Sequence, residues 1–223
     1  MKVIIHSSVS LDGSLLGFAV DMRAHYRIVG SYGADVHLVG SNTAAAGLKM
    51  FFTRLPREKK SDFVRPTRDK SLPLWVIPDS KGKLLGKLHI LRRFDLCRDI
   101  VILATRATPK KYLRYLKERD YVWHRAEKSR VDYRQALRWL AKEHAARTII
   151  TDTGKILNGI LLDNGMVDEI SLLVHPVLVG KKCYPLLGNA QKGAALRLKK
   201  CRPLAGGKTW LVYKVMKGHE SST

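Results

Sequence analysis

Residues Thr148 to Lys182 read TIITDTGKILNGILLDNGMVDEISLLVHPVLVGKK, and the order of features in this stretch decides the fold class. Thr148 to Thr151 is β-branched throughout, the composition of a buried strand. Asp152, Thr153 and Gly154 follow as a polar turn in which glycine permits tight backbone geometry. Ile156, Leu157, Ile160 and Leu161 then fall at helical spacing and predict a helix with one apolar stripe. A second apolar run leads to Pro176, so the unit is strand, glycine turn, short helix, strand. A turn of this kind presents backbone N–H groups and the positive end of a helix dipole, an arrangement that suits a phosphate.

The remainder of the chain repeats this alternation. Val3 to Val9 predicts an opening strand, Ser10 to Gly13 a turn, and residues 21–32 a weak helix. Ala34 to Gly40 predicts a strand ending in the polar turn Ser41-Asn42-Thr43, with a helix over Ala44 to Phe52. Residues 53–72 are basic, proline-punctuated and read as a loop. Leu74 to Ile77 and Ile100 to Ala104 predict strands. Thr108 as N-cap and Pro109 at the first helical position open a helix carrying Tyr112, Leu113 and Leu116. Tyr121 to His124 is extended. Asp132 with Gln135 resembles a capping box, and Trp210 to Met216 predicts the last strand. Such alternation implies a largely parallel sheet in an α/β fold, with helices on both faces. It is read as one domain over 1–218 followed by a short polar tail at 219–223.

Composition narrows the function. With 223 residues and 45% hydrophobic content the chain is a globular domain, not a disordered one. No apolar run approaches a membrane span, and the apolar start MKVII is broken by His6 and Ser7, so it reads as a strand and not a signal peptide. A cytoplasmic location is expected. Cys97, Cys183 and Cys201 are odd in number and widely spaced, which excludes a disulfide framework. The eight histidines show no helical ligand spacing, and no metal site is expected. The net charge of +22 favours anionic partners. The basic residues come as scattered doublets, such as Lys110-Lys111 and Lys199-Lys200, with no basic tail or RNA-reading aromatic signature. They read as a solvated cationic surface and not as a nucleic-acid face.

Several motifs fail on inspection. Gly206-Gly207-Lys208-Thr209 resembles the end of a P-loop, but Arg202 stands where its first glycine must be, and a strand follows. Neither GxGxxG nor GxSxG occurs. Four strand-end loops remain: Ser10–Gly13, Gly40–Thr43, Pro78–Ser80 and Asp152–Lys155. Ligands gather at the carboxyl ends of parallel strands.

The order of these loops is similar to that of the reductase family of riboflavin biosynthesis, which has the dihydrofolate-reductase-like fold, here a three-layer α/β/α arrangement with a mostly parallel central sheet. The matching segments are Ser10-Leu11-Asp12-Gly13, Gly40-Ser41-Asn42-Thr43, Ile77-Pro78-Asp79-Ser80, Asp152 through Asn158, Met166-Val167-Asp168-Glu169-Ile170, and Pro176 to Gly180. The resemblance implies an NADPH-dependent reductase acting on the ribosylamino-pyrimidinone 5′-phosphate of riboflavin synthesis. It implies that Gly40, Ser41, Asn42 and Thr43, together with Thr153, Gly154, Lys155, Ile156, Leu157 and Asn158, hold the pyrophosphate of NADPH. Ser80 is expected near the adenosine end, and Ser8 among the cofactor contacts. Asp152 is expected to face the substrate, and Asp12 and Asp152 are the candidate catalytic residues for orientation or proton handling. A homodimer is implied in the same way.

Departures bear mainly on the substrate. Ser31 stands where relatives often carry arginine, and Gly47 where they carry aspartate. The glycine run is thinned to Thr153-Gly154-Lys155, and Lys155 can offer a phosphate a direct charge instead. No HxE or PCxxC zinc-deaminase signature is present. The alternatives are a reductase of the same fold acting on a pterin or another substrate, and a basic nucleic-acid-binding protein on this fold.

Overall fold

Strand β1, Lys2–Ser10, is buried from Val3 to Ser10. A strand covered on both faces has no solvent side on which to alternate polar residues, so it reads as a nearly unbroken run. The computed structural model describes residues 1–216, and the expected tail at 219–223 lies outside them. After β1 come α1 (Met22–Ser31), β2 (Val36–Leu38), α2 (Ser41–Phe51), β3 (Leu74–Pro78), α3 (Leu88–Arg92), β4 (Asp99–Thr105) and α4 (Lys110–Glu118). They are followed by β5 (Val122–Ala126), α5 (Tyr133–His144), β6 (Thr148–Thr151), α6 (Lys155–Asp163), β7 (Glu169–His175), β8 (Leu196–Leu204) and β9 (Lys208–Val215).

Two compact units divide these elements. One joins Met1–Gly33 to the chain from Thr148 onward, and the other is Ala34–Arg147. In the first, β1 pairs in parallel with β6 and β7, and β7 continues antiparallel into β9 and then β8. The start of this sheet is pinned by Asp168. Its carboxylate accepts the Val3 N–H at 2.8 Å, its own N–H donates to the Val3 carbonyl, and its carbonyl accepts the Val215 N–H. Next to it, Glu169 receives Lys2 at 2.9 Å and also Lys199. Burial raises the Glu169 pKa, but the two ammonium groups outweigh it and leave the carboxyl below its ordinary value.

In the second unit β2, β3, β4 and β5 are all parallel. Its core gathers Leu48, Trp75, Ile77, Ile100, Ile102, Tyr112 and Leu116. Arg92 is 3% exposed among them. Its Nε donates to Asp99 at 2.8 Å, and its terminal nitrogens donate to the carbonyls of Arg119 and Asp120, both at 3.1 Å. The guanidinium also lies 3.8 Å from the centre of the Tyr121 ring. One side chain thereby ties α3 to β4 and to the chain after α4. Gly82, at φ +66°, takes a conformation that side chains rarely adopt, with Tyr112 2.9 Å from where a Cβ would sit.

The sequence expectations err mainly in phase. Ser41 to Thr43 is not a turn before α2 but its first turn, behind the N-cap Gly40. Pro109 is the N-cap of α4 and not its first residue, and the Thr108 hydroxyl accepts the Thr105 N–H instead of capping the helix. Asp132 does cap α5 through the Gln135 N–H. The strand β8 was not expected, because LRLKKCRPL is exposed at all but its last position and lacks the hydrophobic signature of a strand. β9 pairs antiparallel with β7 and with β8, so the first unit's sheet is parallel around β1 and antiparallel at this edge.

Two outcomes are expected. Arg92→Met should lower stability in chemical denaturation by about 3–5 kcal/mol, because it leaves the buried Asp99 carboxylate with only the half-exposed Arg65 guanidinium at 3.4 Å. Replacing both residues by apolar ones should cost less than this single change. The second outcome concerns acid. Glu169 titrates below its ordinary 4.5 in the folded chain, so its stabilisation is complete above that value and is lost as pH falls through the folded pKa. Glu169→Gln should therefore flatten the acid limb of a stability–pH curve.

Candidate functional site

The carboxyl end of β1 carries polar side chains into a buried setting. His6, Ser8 and Ser10 share one face of the strand by its two-residue period, and all three are buried. His6 Nδ1 lies 3.0 Å from Ser171 Oγ on β7. Ser8 Oγ lies 3.0 Å from Nδ1 of His25 on α1. The other ring nitrogen of His25, Nε2, lies 3.5 Å from Asp152 Oδ2 in the turn after β6. The side chains of His25 and Asp152 are only 9% and 10% exposed. Tyr26, the neighbour of His25, has its phenol pKa pushed up by burial first and by the Asp152 charge second.

Asp12 has a different environment. It is exposed, and its carboxylate accepts the Ser10 hydroxyl and the N–H groups of Val179 and Gly180 at 3.1 and 2.7 Å. The Ser10 hydroxyl, followed by the Gly180 N–H, holds its pKa below the usual carboxylate value. Asp12 thus locks the turn after β1 to the segment after β7, and this geometry gives it an anchoring job.

The turn between β6 and α6 is built as the sequence implies, with one revision. Gly154 is the N-cap of α6 at φ −79° and ψ 176°, ordinary extended backbone, so no left-handed conformation requires glycine there. No side chain caps the helix, and its first-turn N–H groups, from Lys155, Ile156 and Leu157, are those that a helix leaves without internal partners. Asn158 is fully buried. Its amide donates to the Thr153 carbonyl at 2.9 Å and stiffens the turn, while its Oδ1 has no hydrogen-bond partner among the described residues. The ammonium of Lys155 rests over the Tyr184 ring, 4.1 Å from its centre.

The expected apolar stripe of α6 is rotated. Ile156 is 53% exposed, whereas Leu157, Asn158, Gly159 and Leu161 are buried. The reason is Gly159: a Cβ there would meet the backbone of Asn189 at 2.9 Å and of Ala190 at 3.0 Å. The helix turns its glycine, not its isoleucine, toward that segment.

In the second unit Gly40 caps α2 without a side-chain hydrogen bond, and Ser41, Asn42 and Thr43 form the first turn. Asn42 accepts the Lys83 ammonium. Asp79 accepts the N–H groups of Lys83 and Leu84, both at 2.9 Å, and so organises the turn that holds Ser80. Each unit therefore offers a helix N-terminus directly after a parallel strand. His25 and His6 escaped the sequence reading. The available signal was a histidine on the buried face of α1, with Ile28 and Val29 three and four residues on.

These elements define an α/β protein with two anion-suited strand-end turns. The chain belongs to the RibD C-terminal domain family, whose model matches residues 1–209. It is 25% identical over 210 residues, 90% of either chain, to the 2,5-diamino-6-ribosylamino-4(3H)-pyrimidinone 5′-phosphate reductase of Archaeoglobus fulgidus. A solved pyrimidine reductase-like protein from Corynebacterium diphtheriae is similar over 97% of this chain and 92% of its own, with 19% identity and a TM-score of 0.72. Dihydrofolate reductase from Enterococcus faecalis matches over 97% of both chains with 6% identity and a TM-score of 0.51. The fold is therefore dihydrofolate-reductase-like. Among the described residues, no helix is long and apolar enough to cross a membrane.

Gly159→Ala should destabilise the chain by about 1–3 kcal/mol, since the added methyl meets backbone that cannot swing aside. Gly47, inside α2, has nothing within 4 Å of its Cβ position. Gly47→Ala should instead gain about 0.5–1 kcal/mol. Denaturant titration of the two variants checks the contrast.

Proposed function

We propose that this chain is an NADPH-dependent reductase that converts the ribosylamino-pyrimidinone 5′-phosphate intermediate of riboflavin biosynthesis to its ribitylamino form. The observation that carries this reading is the turn after β6, where an uncapped helix N-terminus and a nearly buried carboxylate stand side by side. The first can take a phosphate, and the second can orient a polar substrate. The named activity of the Archaeoglobus fulgidus relative supports the same reading.

NADPH supplies the hydride in this reading, and the residues present fit its phosphates chemically. The N–H groups at Lys155 to Leu157 are donors without a capping side chain, and a phosphate accepts them along the helix dipole. Thr153 and Gly154 shape the approach, with Asn158 bracing Thr153. Gly40, Ser41, Asn42 and Thr43 offer the same chemistry in their own unit, and Ser80 is assigned to the adenosine end. Ser8 is turned to His25, so in this reading it holds that imidazole and does not touch the cofactor. Asp152 orients the substrate, and Asp12 anchors the adjoining turn. A cytoplasmic homodimer belongs to this reading. Three free cysteines suit a reducing compartment, and the exposed edge strand β8 is available for pairing.

NADPH at about millimolar concentration should raise the melting temperature by mass action, and the pyrimidine substrate should drive its oxidation. An unchanged melting curve would sink the reading. Lys155→Ala should weaken NADPH binding by about 1–3 kcal/mol, the scale of a charge-assisted hydrogen bond, and the loss should shrink as salt rises. Changing Lys110 and Lys111 on α4 to glutamate should matter much less. Equal losses would mean that diffuse charge, not a fixed lysine, holds the anion.

A further inference from the structure

Four polar side chains from three elements converge in the first unit: His6 and Ser8 from β1, His25 from α1 and Asp152 from the turn after β6. His6, Ser8 and His25 are buried, and the Asp152 side chain is only 10% exposed. Desolvating so many polar groups costs more than apolar packing of the same volume. The cluster lies at the carboxyl end of parallel strands, where ligands of such sheets bind. Its hydrogen bonds also form a directed chain. A carboxylate can only accept, so the 3.5 Å contact with Asp152 uses a proton on His25 Nε2. In the neutral ring, Nδ1 is then the acceptor, and Ser8 Oγ donates to it across 3.0 Å. The ring of His6 stacks at a tilt on that of His25, with centroids 4.6 Å apart. The imidazole is thus fixed at one nitrogen and on one face, and its second nitrogen is aimed at the carboxylate.

We propose that His25 is a positioning residue for the reduction, holding the Asp152 carboxylate toward the substrate while Ser8 and His6 fix its ring. The inference rests on the function proposed above. The long His25–Asp152 contact is the adjustable joint of this chain, since hydrogen bonds at catalytic sites often tighten only when substrate arrives. The ionisable groups facing His25 are His6 from β1, Tyr26 beside it on α1 and Asp152. Burial and the Asp152 charge both disfavour ionisation of Tyr26, so its phenol stays a neutral neighbour, and Asp152 is the anion that the ring serves.

Kinetics and ring-nitrogen NMR test the proposal together. His25→Leu removes the donor and should lower kcat/KM for the pyrimidine substrate by about tenfold to a hundredfold, the cost of a misplaced group. It should do so chiefly through KM, with the dissociation constant for NADPH unchanged. His25→Gln can donate from nearly the position of Nε2 and should restore most of that loss. In the unaltered chain, nitrogen-15 spectra should find His25 protonated on Nε2 at neutral pH. A proton on Nδ1 alone would overturn the proposal, as would equal kinetics in the two variants or an unchanged KM in His25→Leu. If His25→Leu does not fold, His25→Gln and the ring spectra still decide. Absence of NADPH oxidation by the unaltered chain would overturn the function beneath this inference. Normal turnover with an indifferent His25 would overturn only the positioning role.

Discussion

A buried central strand that carries polar side chains imposes the main constraint on the first unit. β1 is flanked by parallel strands on both sides and its side chains from Val3 to Ser10 are buried. Val3, Ile4, Ile5 and Val9 satisfy that condition by being apolar, but His6, Ser8 and Ser10 do not. These three find partners inside the protein, which offsets the cost of burying them, whereas the buried Ser7 hydroxyl has none among the described residues. Ser171, His25 and Asp12 are those partners. The partners then fix their own elements: β7 beside β1, α1 over it, and the turn at Asp12 against Val179 and Gly180. The same requirement that stabilises the unit thus aligns an imidazole with Asp152.

The glycine turn after β6 sets packing and the proposed binding on one short helix. Gly154 starts α6 in unstrained backbone, and the proposed phosphate contact calls for unobstructed N–H groups there and not for an unusual φ. Close packing falls instead on Gly159, whose missing side chain admits the backbone at Asn189 and Ala190. Asn158, between the two, braces the Thr153 carbonyl. Rigidity of this turn suits the proposed phosphate contact, because such a contact works by donors already in place.

The second unit relies on a different device. Its parallel strands are mostly apolar, and beside them Arg92 on α3 is buried with Asp99 of β4. That guanidinium spends its donors on Asp99 and on carbonyls from separate segments. Asp99 bears the cost, since burial raises its pKa despite the guanidinium beside it. Directional hydrogen bonding at one cation replaces several weaker contacts among loops that have little apolar surface of their own.

The sequence by itself determined the alternation of strands and helices, the turns at strand ends, and the family to which their order belongs. Those features are local: β-branched runs, helical spacing and turn residues act within a few positions of themselves. Boundaries at Ser41 and Pro109 slipped by one to three residues, because a polar residue can cap a helix or begin it, and only backbone geometry separates the two. β8 was illegible because its stability comes from the ladder to β9 and not from its own exposed side chains. The surroundings of the two aspartates were also decided by tertiary structure. Asp12 and Asp152 look alike as carboxylates after strands, yet one meets backbone N–H groups and the other a buried histidine. His25 had no local signal beyond a helical face shared with Ile28 and Val29. Its significance comes from Ser8, 17 residues away, and Asp152, 127 residues away, and contacts across such separations exist only once the chain has closed on itself.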